Sequence, residues 1–142
     1  MLEALRLAKR AEESGEVPVG CVITDSSGEI IATGYNLRET GLNALAHAEI
    51  IAIDKACRAL GSWRLSGCSL YVTLEPCPMC AGAVINSRIS RVYYGARDET
   101  MGACGGVINI FMERFGYSPK LTGGILEQQC AEIMSGFFRR LR

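Results

Sequence analysis

The sequence has no excess of charge of either sign. Its 142 residues include 15 lysines and arginines against 15 aspartates and glutamates, so the formal net charge is zero. Proteins that bind the nucleic-acid backbone over a large area often carry a basic surplus, and this balance argues against such extensive contact. It leaves room for a local basic patch, and the ending RRLR at residues 139–142 supplies one.

Long apolar runs are also missing. No segment approaches the roughly 18 consecutive apolar residues that a membrane helix needs. The N-terminal stretch MLEALRLAKRAEE lacks the apolar core of a secretory signal. The seven cysteines are odd in number and are not densely spaced as in a disulfide scaffold, so free thiols or metal ligands are expected. We therefore predict a cytoplasmic protein without a membrane segment.

Repeats, low-complexity tracts and linkers are absent as well, which predicts a single domain over residues 1–142. Apolar residues recur at helical spacing in some segments and form short runs bounded by turn residues in others. Predicted helices cover residues 2–13, 46–60, 77–85 and 126–141, with a short one at 107–114. Predicted strands cover residues 17–24, 29–34, 69–74 and 89–94. Because strands alternate with helices, the predicted fold class is α/β, a sheet covered by helices.

Histidine is almost absent, and the only one is His47, in the segment AHAEI at residues 46–50. A lone histidine among alanines is commonly a satisfied interior residue. Glu49 follows two positions later, and residues i and i+2 lie about 200° apart around a helix. His47 and Glu49 can therefore converge only on a site that faces the N-terminal end of their helix.

The segment EPCPMC at residues 75–80 supplies partners for this histidine. Cys77 and Cys80 are spaced i, i+3, which puts both sulfurs on one side of the first turn of a helix, and Pro76 suits the helix start. A helix N-terminus also favours the thiolate form. Two thiolates and one imidazole would give a neutral site with Zn²⁺ and leave the fourth position for water, as in catalytic zinc sites.

Glu49 gains a role beside such a site. Bound zinc lowers the pKa of water towards 7, and a nearby carboxylate that is not itself a ligand can carry the released proton to a substrate nitrogen. A C-x-x-C pair alone also fits a redox dithiol or a structural zinc knuckle. A dithiol needs no distant H-x-E, and a Cys₄ site needs a second close cysteine pair. The remaining cysteines are scattered, mostly in contexts that suit small core residues: Cys21, Cys57, Cys68, Cys104 and Cys130.

The combination H-x-E followed by P-C-x-x-C is the signature of zinc-dependent nucleobase deaminases. Further segments match over nearly the whole chain, namely EVPVG (16–20), GYN (34–36), LYVTLEPCPMCAGAVINSRI (70–89), VYYGARD (92–98) and FFRRLR (137–142). The chain thus resembles the bacterial tRNA adenosine deaminases of the cytidine/deoxycytidylate deaminase-like zinc superfamily. The resemblance implies a three-layer α/β/α cytidine-deaminase-like fold, in which a mixed five-stranded sheet has helices on both faces. It also implies a homodimer with one Zn²⁺ per subunit.

The same resemblance implies the chemistry and the residues that perform it. Zinc hydroxide attacks C6 of adenine, ammonia leaves, and inosine forms at the wobble position of a tRNA anticodon. The metal ligands would be His47, Cys77 and Cys80, with Glu49 as the catalytic proton carrier. The substrate would be bound by Asn36, the backbone of Ala48, Val17, Pro76 and Asp98, and the RNA would be approached by Arg139 and Arg140. Simpler roles are a turn residue for Asn36, a loop charge or cap for Asp98, and a solvated helix end for the two arginines.

Two departures from the family pattern bear on the substrate. Ala44 and Leu45 stand where these relatives commonly have Pro-Thr, and Thr100 and Gly106 stand where they often have lysine and serine. A missing lysine removes a phosphate contact, and such contacts supply much of nucleic-acid affinity. The leading prediction is a deaminase acting on a tRNA anticodon stem-loop. The alternatives are a deaminase of a free base or nucleoside such as guanine or cytosine, a zinc-stabilised binding module, and a redox protein. Glu49 argues against the binding module, and the lack of a thioredoxin-like layout argues against the redox protein.

Overall fold

A mixed five-stranded sheet forms the middle layer of the protein. The computed structural model describes all residues, Met1–Arg142. The strands are β1 (Gly20–Thr24), β2 (Ile30–Tyr35), β3 (Ser69–Leu74), β4 (Arg91–Ala96) and β5 (Lys120–Thr122). They are ordered β2-β1-β3-β4-β5, with β1 antiparallel to both neighbours and β3, β4 and β5 parallel.

Four helices cover the two faces of this sheet. They are α1 (Leu2–Glu13), α2 (Ala48–Leu60), α3 (Pro78–Ser87) and α4 (Glu127–Arg140). α1 and α4 pack together on one face, and α2 and α3 pack on the other. The predicted three-layer α/β/α fold is therefore confirmed. No helix combines the length and the apolar character that crossing a membrane requires.

Two glycines allow helices to approach the sheet closely on opposite faces. A Cβ atom added to Gly20 in β1 would collide with the Ala4 carbonyl and lie 2.6 Å from the Ala8 nitrogen of α1. A Cβ atom at Gly34 in β2 would lie 2.9 Å from the Ala52 nitrogen of α2. Because both obstacles are backbone atoms, neither can rotate away. The glycines thus fix the spacing of the layers.

We expect Gly20→Ala to lower the free energy of unfolding by about 3 kcal/mol, since overpacking against rigid backbone forces α1 off the sheet. The measurement is urea unfolding followed by circular dichroism. Gly136→Ala in α4 is the matched control, because its Cβ atom would meet the Arg140 side chain at an ordinary 3.7 Å. There alanine should stabilise the helix by about 0.5–1 kcal/mol. Equal stability of the two variants would contradict the close approach of α1.

Several predicted boundaries shift in the structure. The first and fifth elements, α1 and β3, have the predicted bounds, whereas strand pairing in β1 begins only at Gly20. Pro18 has no amide hydrogen for a ladder, and the amide of Val19 bonds back to the Val17 carbonyl. The helix predicted over residues 77–85 runs from Pro78 to Ser87, with Cys77 as its N-cap.

The segment after β4 departs most from the sequence prediction. The helix predicted at residues 107–114 is wrong, and only a single 3₁₀ turn at Ile110–Met112 forms there. The amide of Ile110 is drawn to the Ala103 carbonyl, and the amide of Gly105 bonds to the Ile108 carbonyl, so the chain folds back on itself. The fifth strand, β5, came only from the family resemblance, because three residues are too short for a periodic pattern.

Candidate active site

His47, Cys77 and Cys80 meet where α2 and α3 begin. His47 is the N-cap of α2, Cys77 is the N-cap of α3, and Cys80 follows within the first turn. The His47 Nδ1 atom lies 3.7 Å from the Cys77 Sγ atom and 3.6 Å from the Cys80 Sγ atom. All three ligand atoms lie within 4.8 Å of one another. Tetrahedral zinc bonds would separate an imidazole nitrogen from a thiolate sulfur by about 3.6 Å, so the spacing fits Zn²⁺.

The two thiols have opposite acidities. A hydrogen bond from the Cys80 thiol, with another from His47, lowers the pKa of Cys77 to about 4. The same interaction with Cys77, together with burial, raises the pKa of Cys80 well above its ordinary value. The hydrogen bond with Cys77 also raises the pKa of His47. Cys77 is therefore a thiolate that attracts a cation, and metal binding would displace the proton of Cys80.

Glu49 lies beside this cluster and outside the ligand set. It occupies the first turn of α2, its side chain is buried, and it contacts the Cys80 thiol. Burial raises the pKa of its carboxyl to about 7, because desolvation disfavours the charged form. A carboxyl group with this pKa can take up and release a proton near neutral pH. The predicted convergence of His47 and Glu49 at the N-terminal end of one helix is confirmed.

A cavity of about 210 Å³ opens over the cluster and gathers most of the predicted residues. Its lining includes Val17, Asn36, His47, Glu49, Cys77 and Asp98. Two residues predicted to touch the base, Ala48 and Pro76, are fully buried and do not line it. The structure thus brings His47, Glu49, Cys77 and three of the predicted substrate residues to one cavity, whereas Cys80 is fully buried beside His47.

Asn36 is held in one orientation by its own hydrogen bonds. Its Oδ1 atom accepts from the Ala48 amide at 3.0 Å, and its Nδ2 atom donates to the Val17 carbonyl at 3.1 Å. The Ala48 amide, predicted to touch the base, is thereby occupied. A side-chain amide has two N–H groups, so one remains for a ligand in the cavity.

Asp98 is tied into its own loop. Its Oδ1 atom accepts from the Thr100 amide at 2.9 Å, the Thr100 hydroxyl at 2.7 Å and the Met101 amide at 3.1 Å. Burial alone would raise the pKa of Asp98, but these hydrogen bonds outweigh it and the pKa lies below its usual range. Thr100 therefore fixes the orientation of Asp98.

Two buried carboxylates near the cavity were missed by sequence reasoning. Glu16 is 1% exposed and accepts from the Glu39 amide and from the amide and hydroxyl of Thr40. Glu75 is 2% exposed and accepts from three amides of the loop that carries Asp98. The available signal was a glutamate one or two residues before a proline in each apolar motif, EVP and LEPC.

The terminal arginines lie away from the cavity. Both Arg139 and Arg140 are exposed on α4, and Arg140 pairs with Glu12 of α1. A second groove, of about 590 Å³, runs along α4 and shares Val17 and Asp98 with the cavity. The cavity therefore continues towards the helix that carries the arginines.

Known proteins resemble the chain in sequence. The sequence model of the family described as the cytidine and deoxycytidylate deaminase zinc-binding region matches residues 1–96, which include the three candidate ligands and Glu49. The tRNA-specific adenosine deaminase of Bacillus subtilis (strain 168) is 53% identical over 143 residues, covering 100% of this chain and 88% of that protein.

Solved structures of known proteins also resemble the chain in fold. One structure comes from work on A-to-I editing by tRNA:A34 deaminases at the wobble position of transfer RNA. Its TM-score is 0.88 at 44% sequence identity, and the match covers 92% of this chain and 94% of that chain. The guanine deaminase of Bacillus subtilis has a TM-score of 0.65 at 34% identity, covering 99% of this chain and 90% of that one. The predicted cytidine-deaminase-like fold is confirmed, and the TM-score and the identity are both higher for the tRNA:A34 deaminase structure than for this guanine deaminase.

Proposed function

Because the chain belongs to the cytidine and deoxycytidylate deaminase zinc-binding family, we propose that it is a hydrolytic deaminase that converts adenosine to inosine at the wobble position of a tRNA anticodon. The observation that carries this proposal is the convergence of His47, Cys77 and Cys80 on one point beside Glu49. One Zn²⁺ per subunit, held by these three side chains, would lower the pKa of a bound water towards 7 and supply the nucleophile. In the net reaction, water replaces the amino group at C6 and ammonia is released.

Glu49 manages the proton in this reaction. It accepts the proton that the water loses and passes it to the departing nitrogen, so that ammonia rather than an amide anion leaves. Burial supports this role, because a carboxyl with a pKa of about 7 returns a proton as readily as it takes one. Its position outside the ligand set leaves its carboxyl group free of the metal.

The cavity walls would select and hold the base. The remaining N–H group of Asn36 would bond an acceptor on the base edge, and Val17 would supply an apolar contact with the ring. Asp98 would face the sugar of the same nucleotide. The groove along α4 gives the adjoining nucleotides a path as far as Phe138. Arg139 and Arg140, which follow Phe138 on α4, would bind RNA phosphates.

Two further properties belong to the same proposal. The segment after Gly106 exposes large apolar side chains, Val107, Ile108, Met112 and Phe115, and we assign to it the contact between two subunits of a homodimer. A tRNA substrate also implies that the enzyme works in the cytoplasm. The free-base alternative is less well supported, since identity drops to 34% for the guanine deaminase of Bacillus subtilis.

We expect ammonia release from an arginine tRNA anticodon stem-loop to exceed that from adenosine, guanine, cytosine or cytidine by at least about 100-fold in kcat/KM. The reason is that contacts with the rest of the loop supply binding energy that a free base cannot. A coupled ammonia assay measures the rates, and sequencing of the product detects inosine. A stem-loop with guanosine at the wobble position is the control. Turnover of a free base without any turnover of the stem-loop would overturn the proposed tRNA substrate. The proposed hydrolytic chemistry would be unaffected.

A further inference from the structure

Glu75 connects two parts of the site. It lies at the end of the strand that leads to the candidate zinc ligands, and it binds the loop that forms one wall of the cavity. It follows β3 directly and stands two positions before Cys77. Its Oε2 atom accepts from the Asp98 amide at 2.9 Å, and its Oε1 atom accepts from the Cys104 amide at 2.9 Å and the Gly106 amide at 2.7 Å. One buried carboxylate therefore collects three amides from a loop 23 to 31 residues away in sequence.

The loop is shaped to enclose this carboxylate. A Cβ atom at Gly102 would lie 2.6 Å from the Glu75 Oε1 atom, and one at Gly106 would lie 2.7 Å from the Oε2 atom. Backbone bonds close the same junction, because the Glu75 amide donates to Ala96 at 2.8 Å and the Ala103 amide donates to Pro76 at 2.8 Å. The absence of side chains at Gly102 and Gly106 is thus what lets the amides reach the carboxylate.

The same loop forms one wall of the cavity. It presents Asp98 and Met101 there. The three amides that bind Glu75 come from the start and the end of the loop, so its curvature depends on the carboxylate. No lysine, arginine or histidine bonds to Glu75, and its charge is balanced by backbone dipoles alone.

We propose that Glu75 is a positioning residue that sets the distance between the Asp98 wall and the zinc ligands, and so the fit of the nucleotide in the cavity. It acts through the backbone of the loop, because both of its carboxylate oxygens accept hydrogen bonds from loop amides. The kinetic part of this inference rests on the proposed function, whereas the structural part concerns the loop alone.

Glu75→Gln is expected to raise the KM for the stem-loop about 10-fold, with kcat changed less than about 3-fold. The glutamine amide has nearly the same shape, but its NH₂ group must face a backbone N–H, so at least one of the three bonds is lost. Zinc content, measured by mass spectrometry, should stay at the wild-type value because no ligand is touched. Glu13→Gln, at the exposed end of α1, removes the same charge and should change neither parameter. A fall in kcat at unchanged KM would overturn the proposal.

A double-mutant cycle separates positioning from a general loss of stability. If Glu75 acts through the Asp98 wall, Glu75→Gln in an Asp98→Ala background should raise KM by less than about 2-fold. A KM increase in the double variant equal to the product of the two single-variant increases would overturn the proposal. If Glu75→Gln does not fold, Gly106→Ala replaces it, since its Cβ atom presses on the carboxylate and the Asp98 carbonyl.

Hydrogen exchange tests the loop without any substrate. In Glu75→Gln, or in Gly106→Ala where that variant takes its place, the amides of Asp98, Cys104 and Gly106 should exchange at least about 10-fold faster, while the amides of β3 keep their protection. Unchanged exchange at all three amides would overturn the positioning role. Should the wild-type protein fail to act on the stem-loop, the proposed function falls and this experiment still decides the role of Glu75.

Discussion

Glu49→Gln is expected to lower kcat by about 10²–10⁴-fold while the protein keeps its zinc. The amide has the shape of the carboxyl group but cannot accept a proton from water, so the proton transfer at the centre of the reaction is lost. The metal should stay because its three candidate ligand atoms belong to His47, Cys77 and Cys80, and Glu49 is not among these ligands. Metal analysis by mass spectrometry and single-turnover deamination of the stem-loop measure the two quantities on the same sample.

Asp54→Asn is the matched control for this substitution. It neutralises a carboxylate on the exposed face of the same helix, where Asp54 pairs only with Arg58. Such surface pairs contribute roughly 0–1 kcal/mol, so activity and zinc content should stay at wild-type values. Glu49→Gln with more than about a tenth of wild-type activity would refute the proton-carrier role. Loss of zinc from Glu49→Gln would instead identify Glu49 as a ligand.

The second large effect is expected from His47→Ala, which should abolish both zinc binding and activity. Two cysteine sulfurs alone leave the metal without its only nitrogen donor and open the site to water, so we expect less than about 0.1 zinc per chain. The measurement is metal analysis after dialysis against a weak chelator, followed by the deamination assay. Cys57→Ser changes a thiol outside the cluster and should retain full zinc content.

Together the two substitutions distinguish catalytic zinc from structural zinc. A protein that uses zinc only to hold its fold would lose stability in His47→Ala and keep its function in Glu49→Gln. A hydrolytic centre loses turnover in both variants and loses metal in one. Stoichiometric zinc in His47→Ala would mean that another side chain supplies the third ligand.

The clustering of these candidate residues could be predicted because each lies in a short local pattern. His47 and Glu49 form one such pattern and Cys77 and Cys80 another, and in each the helix start determines the direction of the side chains. The layers of the fold could be predicted for the same reason, since α1 and β3 have clear periodic patterns. The five-stranded count required the family resemblance, because β5 is defined only by its pairing with β4.

The surroundings of the site could not be predicted in this way. Glu16 and Glu75 bond to backbone amides that lie more than 20 residues away, and any residue except proline offers such an amide. The short helix expected after Gly106 failed because hydrogen bonds within the loop compete with helical ones there. The role of Thr100 was also invisible, since its contact with Asp98 depends on the turn that the loop adopts.

The positions of His47 and Cys77 at the two N-caps connect catalysis to the maturation of the protein. Serine, threonine, aspartate or asparagine normally caps a helix, and each such cap contributes about 1 kcal/mol. Here the cap positions hold two candidate metal ligands, and neither helix has a side-chain cap hydrogen bond. Without a metal these two helix ends lack that stabilisation, and bound zinc would tie them to each other. We expect chains without zinc to be inactive and more readily cleaved by proteases, which would enrich the folded protein in zinc-loaded chains.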